Sequence, residues 1–282
     1  MPVPGRRLTQ DLLARHGLRP RLSLGQHFLV DPNTIRKIVA AAAVSPGELI
    51  VEVGPGVGAL TAGLAAAGAS VIAIEQDRSL EPALSEVVGG LDSVRLVWGD
   101  ALTADLDRIL GGRPARVVAN LPYQISTPLV LRVLSEHAPI SELLVMVQQE
   151  VGERIVAAPG ADAYGAVSAK VAYFAAARVE FKVSRRVFLP EPDVESVVVR
   201  ITRRPSAPVD GDRRRIFAVI DAGFATRRKT IRNALRGAGT PAAEVESALS
   251  AAGIDGAERA ERLGLDGFAA IARVLDVPEV RR

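Results

Sequence analysis

The sequence predicts an α/β fold, in which a doubly wound sheet precedes a small helical domain, and two observations support this class. Apolar runs of strand length alternate with helical patterns up to residue 201, and only helical patterns follow. The first four runs are rich in valine and isoleucine, which is typical of parallel strands buried on both faces. The predicted strands are Leu49–Gly54, Ser70–Glu75, Val94–Asp100, Ala115–Leu121, Leu143–Gln148, Arg178–Val183 and Ser196–Ile201.

The predicted helices follow the same division of the chain. They are Ala59–Ala67, Ser79–Val88 and Pro128–Glu136 in the first part, then Arg213–Phe224, Arg228–Arg236, Pro241–Ala252 and Asp266–Leu275. Only a proline-rich turn separates the last two strands, which favours an antiparallel pair at one end of the sheet. Residues 203–212 hold two prolines and a glycine without apolar periodicity. We therefore expect an α/β domain over residues 1–202, a linker over 203–212 and a helical domain over 213–282.

The composition excludes several kinds of site. With 48% hydrophobic and 24% charged residues among 282, the chain has the composition of a soluble globular protein. The absence of cysteine excludes disulfides, thiolate metal ligands and cysteine nucleophiles. The three histidines lie far apart in the sequence, so we expect no metal site.

The sequence also shows no targeting signal and no membrane-spanning segment. The N-terminal residues lack the apolar run of a secretory signal. The uncharged stretch from Val53 to Ile74 contains five glycines and a proline, and it predicts a buried strand–helix–strand unit rather than a membrane span. We expect a cytoplasmic protein.

The net charge of +3 conceals a strong asymmetry. Residues 1–37, the basic N-terminal segment, carry seven basic and two acidic side chains, and residues 200–236 carry eleven and three. The rest of the chain is acidic by about ten charges. Two basic segments beside an acidic body indicate surfaces that face a polyanion, although ordinary solvated helix faces would give the same counts. Arginine makes up 31 of the 35 basic residues, which suits phosphate contacts but also follows from coding bias.

A glycine-rich turn follows the first predicted strand and opens a helix. Gly54, Gly56 and Gly58 have the spacing G-x-G-x-G, which differs from the G-x-G-x-x-G of dinucleotide enzymes. Glycine is required where the backbone turns sharply or lies against a ligand. Glu52 stands two residues before the first glycine. A carboxylate there is unsuited to a pyrophosphate and suited to an ammonium or sulfonium ligand.

Two more acids end the next two predicted strands. Glu75 is placed to accept hydrogen bonds from ribose hydroxyls, and Asp100 to accept one from an adenine amino group. Each acid alone is more often a polar strand end. Because ligands of open α/β sheets bind at the carboxyl ends of strands, the glycine turn and both acids are expected to converge.

The fourth predicted strand ends in Asn120-Leu121-Pro122-Tyr123. An exocyclic adenine amine is a poor nucleophile, because its lone pair is delocalised into the ring. An asparagine carbonyl and a neighbouring backbone carbonyl can accept its two hydrogens, proline fixes the turn, and tyrosine can stack on an extruded base. A capped turn with a core tyrosine is the structural alternative.

Five segments together resemble the S-adenosylmethionine-dependent rRNA adenine N6-dimethyltransferases, most closely the small-subunit type. They are Gly25–Leu29, Glu52–Gly58, Asn120–Pro128, Phe188–Pro192 and Arg227–Asn233, and they span nearly the whole chain. The resemblance implies a Rossmann-like methyltransferase sheet with an all-helical C-terminal domain. It also implies S-adenosyl-L-methionine as cofactor and dimethylation of two adjacent adenosines in the 3′-terminal hairpin loop of 16S rRNA. The implied partner is 16S rRNA within the pre-30S subunit, and the implied enzyme is a monomer.

The resemblance also implies roles for particular residues. The set that would contact the cofactor is His27, Leu29, Gly54, Gly56, Glu75, Asp100 and Asn120. The catalytic segment would be Asn120, Leu121, Pro122 and Tyr123, with Tyr123 stacked on the flipped adenine and Phe188 on its other side. The residues that would grip rRNA phosphates are Arg227, Arg228, Lys229 and Arg232.

The chain departs from the family pattern at three places. His27 and Gln124 stand where the family usually has asparagine, and Asp193-Val194-Glu195 stands where it usually has Lys-Val-Asp. Three other functions remain open: a macrolide-resistance methylase acting on 23S rRNA, a non-catalytic RNA-binding assembly factor and an NAD-dependent dehydrogenase. The glycine spacing and the absence of a hydride-transfer site argue against the last.

Overall fold

The computed structural model describes residues 3–226 and 228–278, which divide into two compact units. The first unit runs to Gly152 and includes Arg178–Arg203, and the second comprises Glu153–Ala177 and the residues from Arg204 onward. The structure departs from the prediction at Glu153–Ala177, which was assigned to the α/β domain and which groups with the helical unit.

The first unit is built on a seven-stranded sheet, and the predicted fold class is confirmed. Its strands are β2 (Leu49–Val53), β3 (Ser70–Glu75), β4 (Val94–Trp98), β5 (Ala115–Asn120), β6 (Ile140–Gln148), β7 (Ala175–Val183) and β9 (Ser196–Arg203). They lie in the order β4-β3-β2-β5-β6-β9-β7. The strands from β4 to β6 are parallel to their neighbours, and β9 runs antiparallel to β6.

Burial follows position in the sheet. Central strands β2 and β3 are buried almost throughout, as their valine and isoleucine content predicts. The expectation of burial on both faces is wrong for β4, because β4 is an edge strand with Arg95 exposed and its other residues half-buried. Valine and leucine content alone does not reveal which strand lies at the edge.

Helices connect the strands of the first unit. They are α1 (Arg6–Arg15), α2 (Pro32–Ala42), α3 (Ala59–Ala66), α4 (Glu81–Val88), α5 (Leu106–Leu110), α6 (Ser126–Glu136) and α7 (Gln149–Val156), the last continuing into the second unit. The start of α2 has a clear local cause: the Asp31 carboxylate accepts a hydrogen bond from the Thr34 N–H, and Pro32 occupies the first turn.

A second, two-stranded sheet joins the N-terminal residues to a distant segment of the first unit. Strand β1 (Phe28–Leu29) pairs antiparallel with β8 (Phe188–Leu189), with Phe28 opposite Leu189. The sequence pattern did not predict this pair, since two residues are too few to show periodicity. It places His27 beside the residues that follow β8.

The second unit is a helical bundle around its own core. Its helices after α7 are α8 (Ala166–Phe174), α9 (Arg213–Phe224), α10 (Ile231–Gly237), α11 (Ala242–Ala252) and α12 (Leu265–Val274). Helix α8 buries Ala169 and Tyr173 in this core, and the Tyr164 hydroxyl donates to the Leu263 carbonyl at 3.0 Å. These contacts explain why Glu153–Ala177 belongs to the second unit. None of the helices within residues 3–226 and 228–278 is both long and apolar enough to cross a bilayer.

Gly152 offers a test of packing between α7 and the sheet. A Cβ atom at this position would lie 2.2 Å from Cγ2 of Val197 in β9, a distance that requires one of them to move. We expect Gly152→Ala to lower the free energy of unfolding by about 1–3 kcal/mol in urea denaturation. Gly90→Ala, where a Cβ meets no atom within 4 Å, is the matched control and should change stability by less than about 0.5 kcal/mol. Equal effects of the two variants would contradict this account of α7 packing.

Candidate active site

A cleft lies at the carboxyl ends of β2, β3, β4 and β5, where the sequence predicts that the site residues converge. It contains about 810 Å³ of non-protein space, part of it open to solvent, and this volume suits a ligand of small-molecule size. The predicted residues that line it are His27, Gly54, Gly56, Glu75, Asp100, Asn120, Leu121, Pro122 and Tyr123. The structure therefore brings most of the predicted site together.

The glycine turn is packed against the fourth strand end. Gly54 has a φ of +73°, and a Cβ there would lie 3.1 Å from the ring carbons of Pro122. Gly56 has a φ of +58°, and a Cβ there would lie 2.8 Å from the Phe28 ring. Both positions require glycine for conformation and for space. The turn and the proline therefore lie in direct contact and form one wall of the cleft.

Two buried carboxyl groups lie at the ends of neighbouring strands. Glu75 is 8% exposed, and its oxygens accept hydrogen bonds from the N–H of Gly56 at 3.1 Å and of Asp77 at 2.9 Å. Burial raises the pKa of Glu75, and these backbone hydrogen bonds oppose the rise. Glu52 is 1% exposed, and its carboxyl accepts from the Thr61 hydroxyl at 2.6 Å. Burial raises the pKa of Glu52 to about 8, with a contribution from the nearby charge of Glu75.

Asn120, the last residue of β5, has one unsatisfied polar atom. Its Nδ2 donates to the backbone carbonyl of His27 at 3.3 Å, while its Oδ1 is buried and has no hydrogen-bond partner. Because a buried acceptor without a partner is costly, this carbonyl is prepared to accept a hydrogen bond from a bound ligand. Asp100 lies across the cleft, two residues after β4, and its Oδ1 accepts from the N–H of Leu102 at 2.8 Å.

Tyr123 and His27 meet at the rim of the cleft. Their ring centroids are 5.5 Å apart and their planes differ by 28°, so the two rings are stacked. The Tyr123 hydroxyl lies 3.0 Å from the Ser196 hydroxyl. Burial raises the pKa of Tyr123, which keeps the phenol protonated at neutral pH. Leu29 is buried and lines a smaller adjoining cavity together with Glu52, Gly54 and other residues of the turn.

Phe188 does not line the cleft, and the prediction that it stacks on a bound base is corrected. Its side chain is 0% exposed and packs in the hydrophobic core of the first unit. The cause is the pairing of β8 with β1, which turns Phe188 inward and leaves Leu189 half-buried. The aromatic ring that meets Tyr123 is that of His27.

Asp77 ties the N-terminal segment to the cleft, and the sequence pattern does not single it out. Asp77 is 5% exposed, and its carboxylate accepts hydrogen bonds from Gln26 Nε2 at 2.7 Å, Arg21 Nη1 at 3.2 Å and the Ser79 hydroxyl at 2.6 Å. Burial raises the pKa of Asp77, but the bonds from Ser79 and Gln26 outweigh it and hold the pKa below its ordinary value. The only signal in the sequence was the position of an aspartate two residues after Glu75.

The predicted phosphate-binding residues of the second unit differ in their surroundings. Arg227 lies outside the described residues. Arg228 and Lys229 are exposed, and neither forms an ion pair with another described residue. Arg232 is engaged within the unit, since its Nε lies 2.9 Å from the Glu246 carboxylate, which also pairs with Arg236. The prediction that Arg232 contacts phosphate is therefore weakened by an internal partner.

No three His, Asp or Glu side chains within residues 3–226 and 228–278 lie close enough to hold a metal ion. A parallel sheet with a glycine turn and strand-end acids at its carboxyl edge defines a Rossmann-like nucleotide-binding domain.

Comparison with known proteins identifies the family. The sequence profile of the ribosomal RNA adenine dimethylases matches residues 17–276, and the chain belongs to this family. It is 48% identical to ribosomal RNA small subunit methyltransferase A of Moorella thermoacetica over 97% of this chain and 98% of that protein. The protein of the same name from Thermobifida fusca is 44% identical over 96% and 94%. The chain is thus a methyltransferase.

Solved structures show the same architecture. A dimethyladenosine transferase from Plasmodium falciparum superposes with a TM-score of 0.72 at 23% identity, covering 87% of this chain and 96% of that one. The 23S rRNA methyltransferase ErmE gives a TM-score of 0.67 at 27% identity, covering 88% and 99%. These similarities support the Rossmann-like fold with its helical C-terminal part.

The raised pKa of Glu52 predicts a pH-dependent stability. A carboxyl whose pKa is higher in the folded than in the unfolded chain stabilises the fold below the unfolded value and loses this contribution as pH rises through the folded value. With an ordinary value of 4.5 and a folded value of about 8, the loss falls between these pH values. It amounts to at most about 5 kcal/mol.

We expect Glu52→Gln to remove this component, so that the stability difference between wild type and variant changes across pH 4.5 to 8 in urea denaturation. The exposed Glu81→Gln serves as control and should follow the wild-type curve. Parallel curves for wild type and Glu52→Gln would show that Glu52 does not titrate in this range.

Proposed function

We propose that the enzyme uses S-adenosyl-L-methionine to dimethylate the N6 amines of two adjacent adenosines in the 3′-terminal hairpin loop of 16S rRNA, during biogenesis of the small subunit in the cytoplasm. The observation that carries this proposal is the buried, unpartnered Oδ1 of Asn120 in an acidic cleft. The names of the relatives from Moorella thermoacetica and Thermobifida fusca support the choice of small-subunit RNA.

The residues of the cleft fit this cofactor. Glu75 lies at the end of β3, and its carboxylate accepts hydrogen bonds from two backbone N–H groups. The ribose hydroxyls of the cofactor could replace these donors. Asp100 lines the cleft, and its carboxylate would accept a hydrogen bond from the adenine amine. Burial raises the pKa of Glu52 and Glu75, and a bound ammonium or sulfonium would favour their ionised forms. The bound cofactor would supply a methyl group activated by the positive sulfur.

The protein's own residues then have to place the target amine. The Asn120 carbonyl would accept one hydrogen of the adenine N6, which satisfies its buried oxygen and favours a pyramidal nitrogen with an available lone pair. Tyr123 would stack on the flipped base, since it lines the cleft and remains protonated. Alignment and charge placement carry such a transfer, and no strong general base is required. The amine proton can leave to water after the transfer.

A large-subunit function is the second candidate, because ErmE superposes on 88% of this chain. Its 27% identity is well below the 48% of the small-subunit relative. Incubation with labelled cofactor and, in separate reactions, 30S particles that lack the modification or unmodified 23S rRNA, followed by mass-spectrometric mapping, tests the choice. Dimethylation of the two loop adenosines of the 30S particle is expected. Transfer only to 23S rRNA would establish the second candidate.

Asn120→Ala tests the catalytic assignment. We expect the rate of methyl transfer to fall by about 10²–10³-fold, because the variant lacks the carbonyl that would accept a hydrogen bond from the adenine amine in the transition state. The melting temperature should stay within a few degrees of wild type, since Asn120 makes only one long hydrogen bond to His27. Asn33→Ala, at an exposed asparagine of α2, is the matched control. Normal turnover by the folded Asn120 variant would refute the assignment.

We further propose that Arg228 and Lys229 contact rRNA phosphates, because they are exposed and unpaired among the described residues. Removing both charges should lower the slope of log affinity against log salt concentration by about 1.5. The control is Arg95→Ala with Arg108→Ala, which removes two exposed charges from the first unit. An equal loss of slope in both pairs would indicate a nonspecific effect of net charge.

A further inference from the structure

We propose that Arg132 is a positioning residue for Asp100, through which the enzyme recognises the adenine amine of its cofactor. Arg132 lies on α6, outside the lining of the cleft. The proposal deepens the proposed function and rests on it, since it takes the Asp100 carboxylate as the group that accepts a hydrogen bond from that amine. It starts from two backbone carbonyl groups that the Arg132 guanidinium binds.

Asp100 lies where the sheet gives little support. It follows β4, an edge strand that is flanked by β3 alone. The N–H of Gly99 donates to the Glu75 carbonyl at 2.9 Å, and Asp100 comes directly after this bond. A Cβ added at Gly99 would meet no atom within 4 Å, so there is open space beside the strand end. The position of Asp100 therefore depends on the loop of residues 100–104.

This loop sets the direction of the Asp100 carboxylate. Asp100 Oδ1 accepts a hydrogen bond from the Leu102 N–H at 2.8 Å. The backbone carbonyl of Asp100 accepts from the N–H groups of Thr103 at 3.0 Å and Ala104 at 2.8 Å. Because these bonds join the carboxylate to the loop backbone, a displacement of the loop would move the carboxylate. All three bonds lie within the loop, so they do not attach it to the rest of the unit.

Arg132 makes that attachment. Its Nη1 donates to the Ala101 carbonyl at 2.6 Å, and its Nη2 donates to the Ala104 carbonyl at 2.8 Å. The two carbonyls flank the turn, and the planar guanidinium holds both donors in a fixed geometry. Arg132 Nε lies 3.0 Å from the carboxylate of Glu136, one turn further along α6. The Arg132 side chain is only 17% exposed, which limits competition from water for these bonds.

Helix α6 also contacts the catalytic segment. Its first residue is Ser126, whose hydroxyl donates to the Tyr123 carbonyl at 3.0 Å. Arg132 lies six residues further on, about 9 Å along the helix axis. One rigid helix therefore binds both the segment that would receive the base and the loop that would bind the adenine of the cofactor.

An arginine that binds backbone carbonyls can also serve stability alone, and Arg203 provides the comparison. Its guanidinium donates to the carbonyls of Val133, Leu134 and Ile140 at 2.8–2.9 Å. None of these three residues lines the cleft. Ala101, in contrast, lines the cleft next to Asp100. A purely structural role would thus be shared by both arginines, whereas a role in adenine recognition belongs to Arg132.

The test measures how strongly the enzyme prefers a purine amine. Calorimetry compares binding of S-adenosyl-L-homocysteine with binding of S-inosyl-L-homocysteine, in which a carbonyl oxygen replaces the amine. Both ligands lack the sulfonium charge, so they differ only in the purine ring. The variant is Arg132→Met, and Arg203→Met is the matched control. Asp100→Ala, which lacks the carboxylate, is the reference for loss of the preference.

We expect wild type to bind the adenosyl ligand about tenfold or more tightly than the inosyl ligand, because a carboxylate accepts from an amine and repels a carbonyl oxygen. Arg132→Met should lower this preference by about three- to tenfold, because the carboxylate loses its fixed direction. Arg203→Met should keep the wild-type preference within about twofold. Hydrogen exchange at the amides of Thr103 and Ala104 should be faster in Arg132→Met than in wild type or Arg203→Met.

Three results would overturn the proposal. They are an unchanged preference in folded Arg132→Met, an equal loss in Arg132→Met and Arg203→Met, and a wild-type preference retained by Asp100→Ala. If Arg132→Met melts far below wild type, Arg132→Gln replaces it with the same expectation, since its shorter side chain cannot span the two carbonyls. Wild-type methylation of 30S particles is measured in parallel. Its absence would refute the proposed function, while the ligand preferences would still decide the role of Arg132.

Discussion

The contact between the glycine turn and Pro122 is the constraint on which the site depends. Gly54 lies so close to the proline ring that a Cβ would come within 3.1 Å of it. This contact joins the ends of β2 and β5, two neighbouring strands of the parallel part of the sheet. It thereby fixes Asn120 and Tyr123, on either side of the proline, relative to the acids at the ends of β3 and β4. Without it, the side chains at the two strand ends would not be held in fixed positions relative to one another.

The strand ends beside the cleft hold two buried carboxyl groups, which differ in their hydrogen bonds. Glu75 accepts two backbone hydrogen bonds, whereas Glu52 accepts one from the Thr61 hydroxyl, and the negative charge of Glu75 further disfavours the ionised form of Glu52. Burying a carboxylate without a cation is costly, and this cost raises the pKa of both groups. A cationic ligand would lower this cost, while an anionic ligand of similar shape would increase it. The carboxylate of Glu52, two residues before the glycine turn, predicts the same preference from the sequence.

The sequence was sufficient for the parallel sheet and for most of the cleft, because both arise from local patterns. Strand runs, the glycine turn and the acids at strand ends are each visible within a few residues. The features that the sequence does not show depend on contacts between distant segments of the chain. The pairing of β1 with β8 buries Phe188, and the packing of α8 moves Glu153–Ala177 into the helical unit. The sequence likewise does not show that Glu246 lies beside Arg232, one of the predicted phosphate-binding residues. Charge counts cannot distinguish an arginine facing solvent from one already paired.

One part of the site follows the parallel strands of the sheet, and the other depends on the antiparallel strands β8 and β9. The glycine turn, Glu75 and Asp100 all follow parallel strands, and they form the part suited to a small nucleoside ligand. Tyr123 is held instead by residues of the antiparallel additions, directly by Ser196 at the start of β9 and through His27 by Pro190 after β8. Residues 188–196 therefore hold one ring at two points. This segment supplies none of the acidic residues of the cleft. Its loop can therefore vary, as at Asp193-Val194-Glu195, without changing the part of the site that holds Glu75 and Asp100. Asn120 belongs to both parts, since its Nδ2 bonds to His27 and its Oδ1 remains available in the cleft. Methyl transfer from a cofactor to an extruded base requires a residue that contacts both parts of the site. Asn120, the last residue of β5, would be that residue.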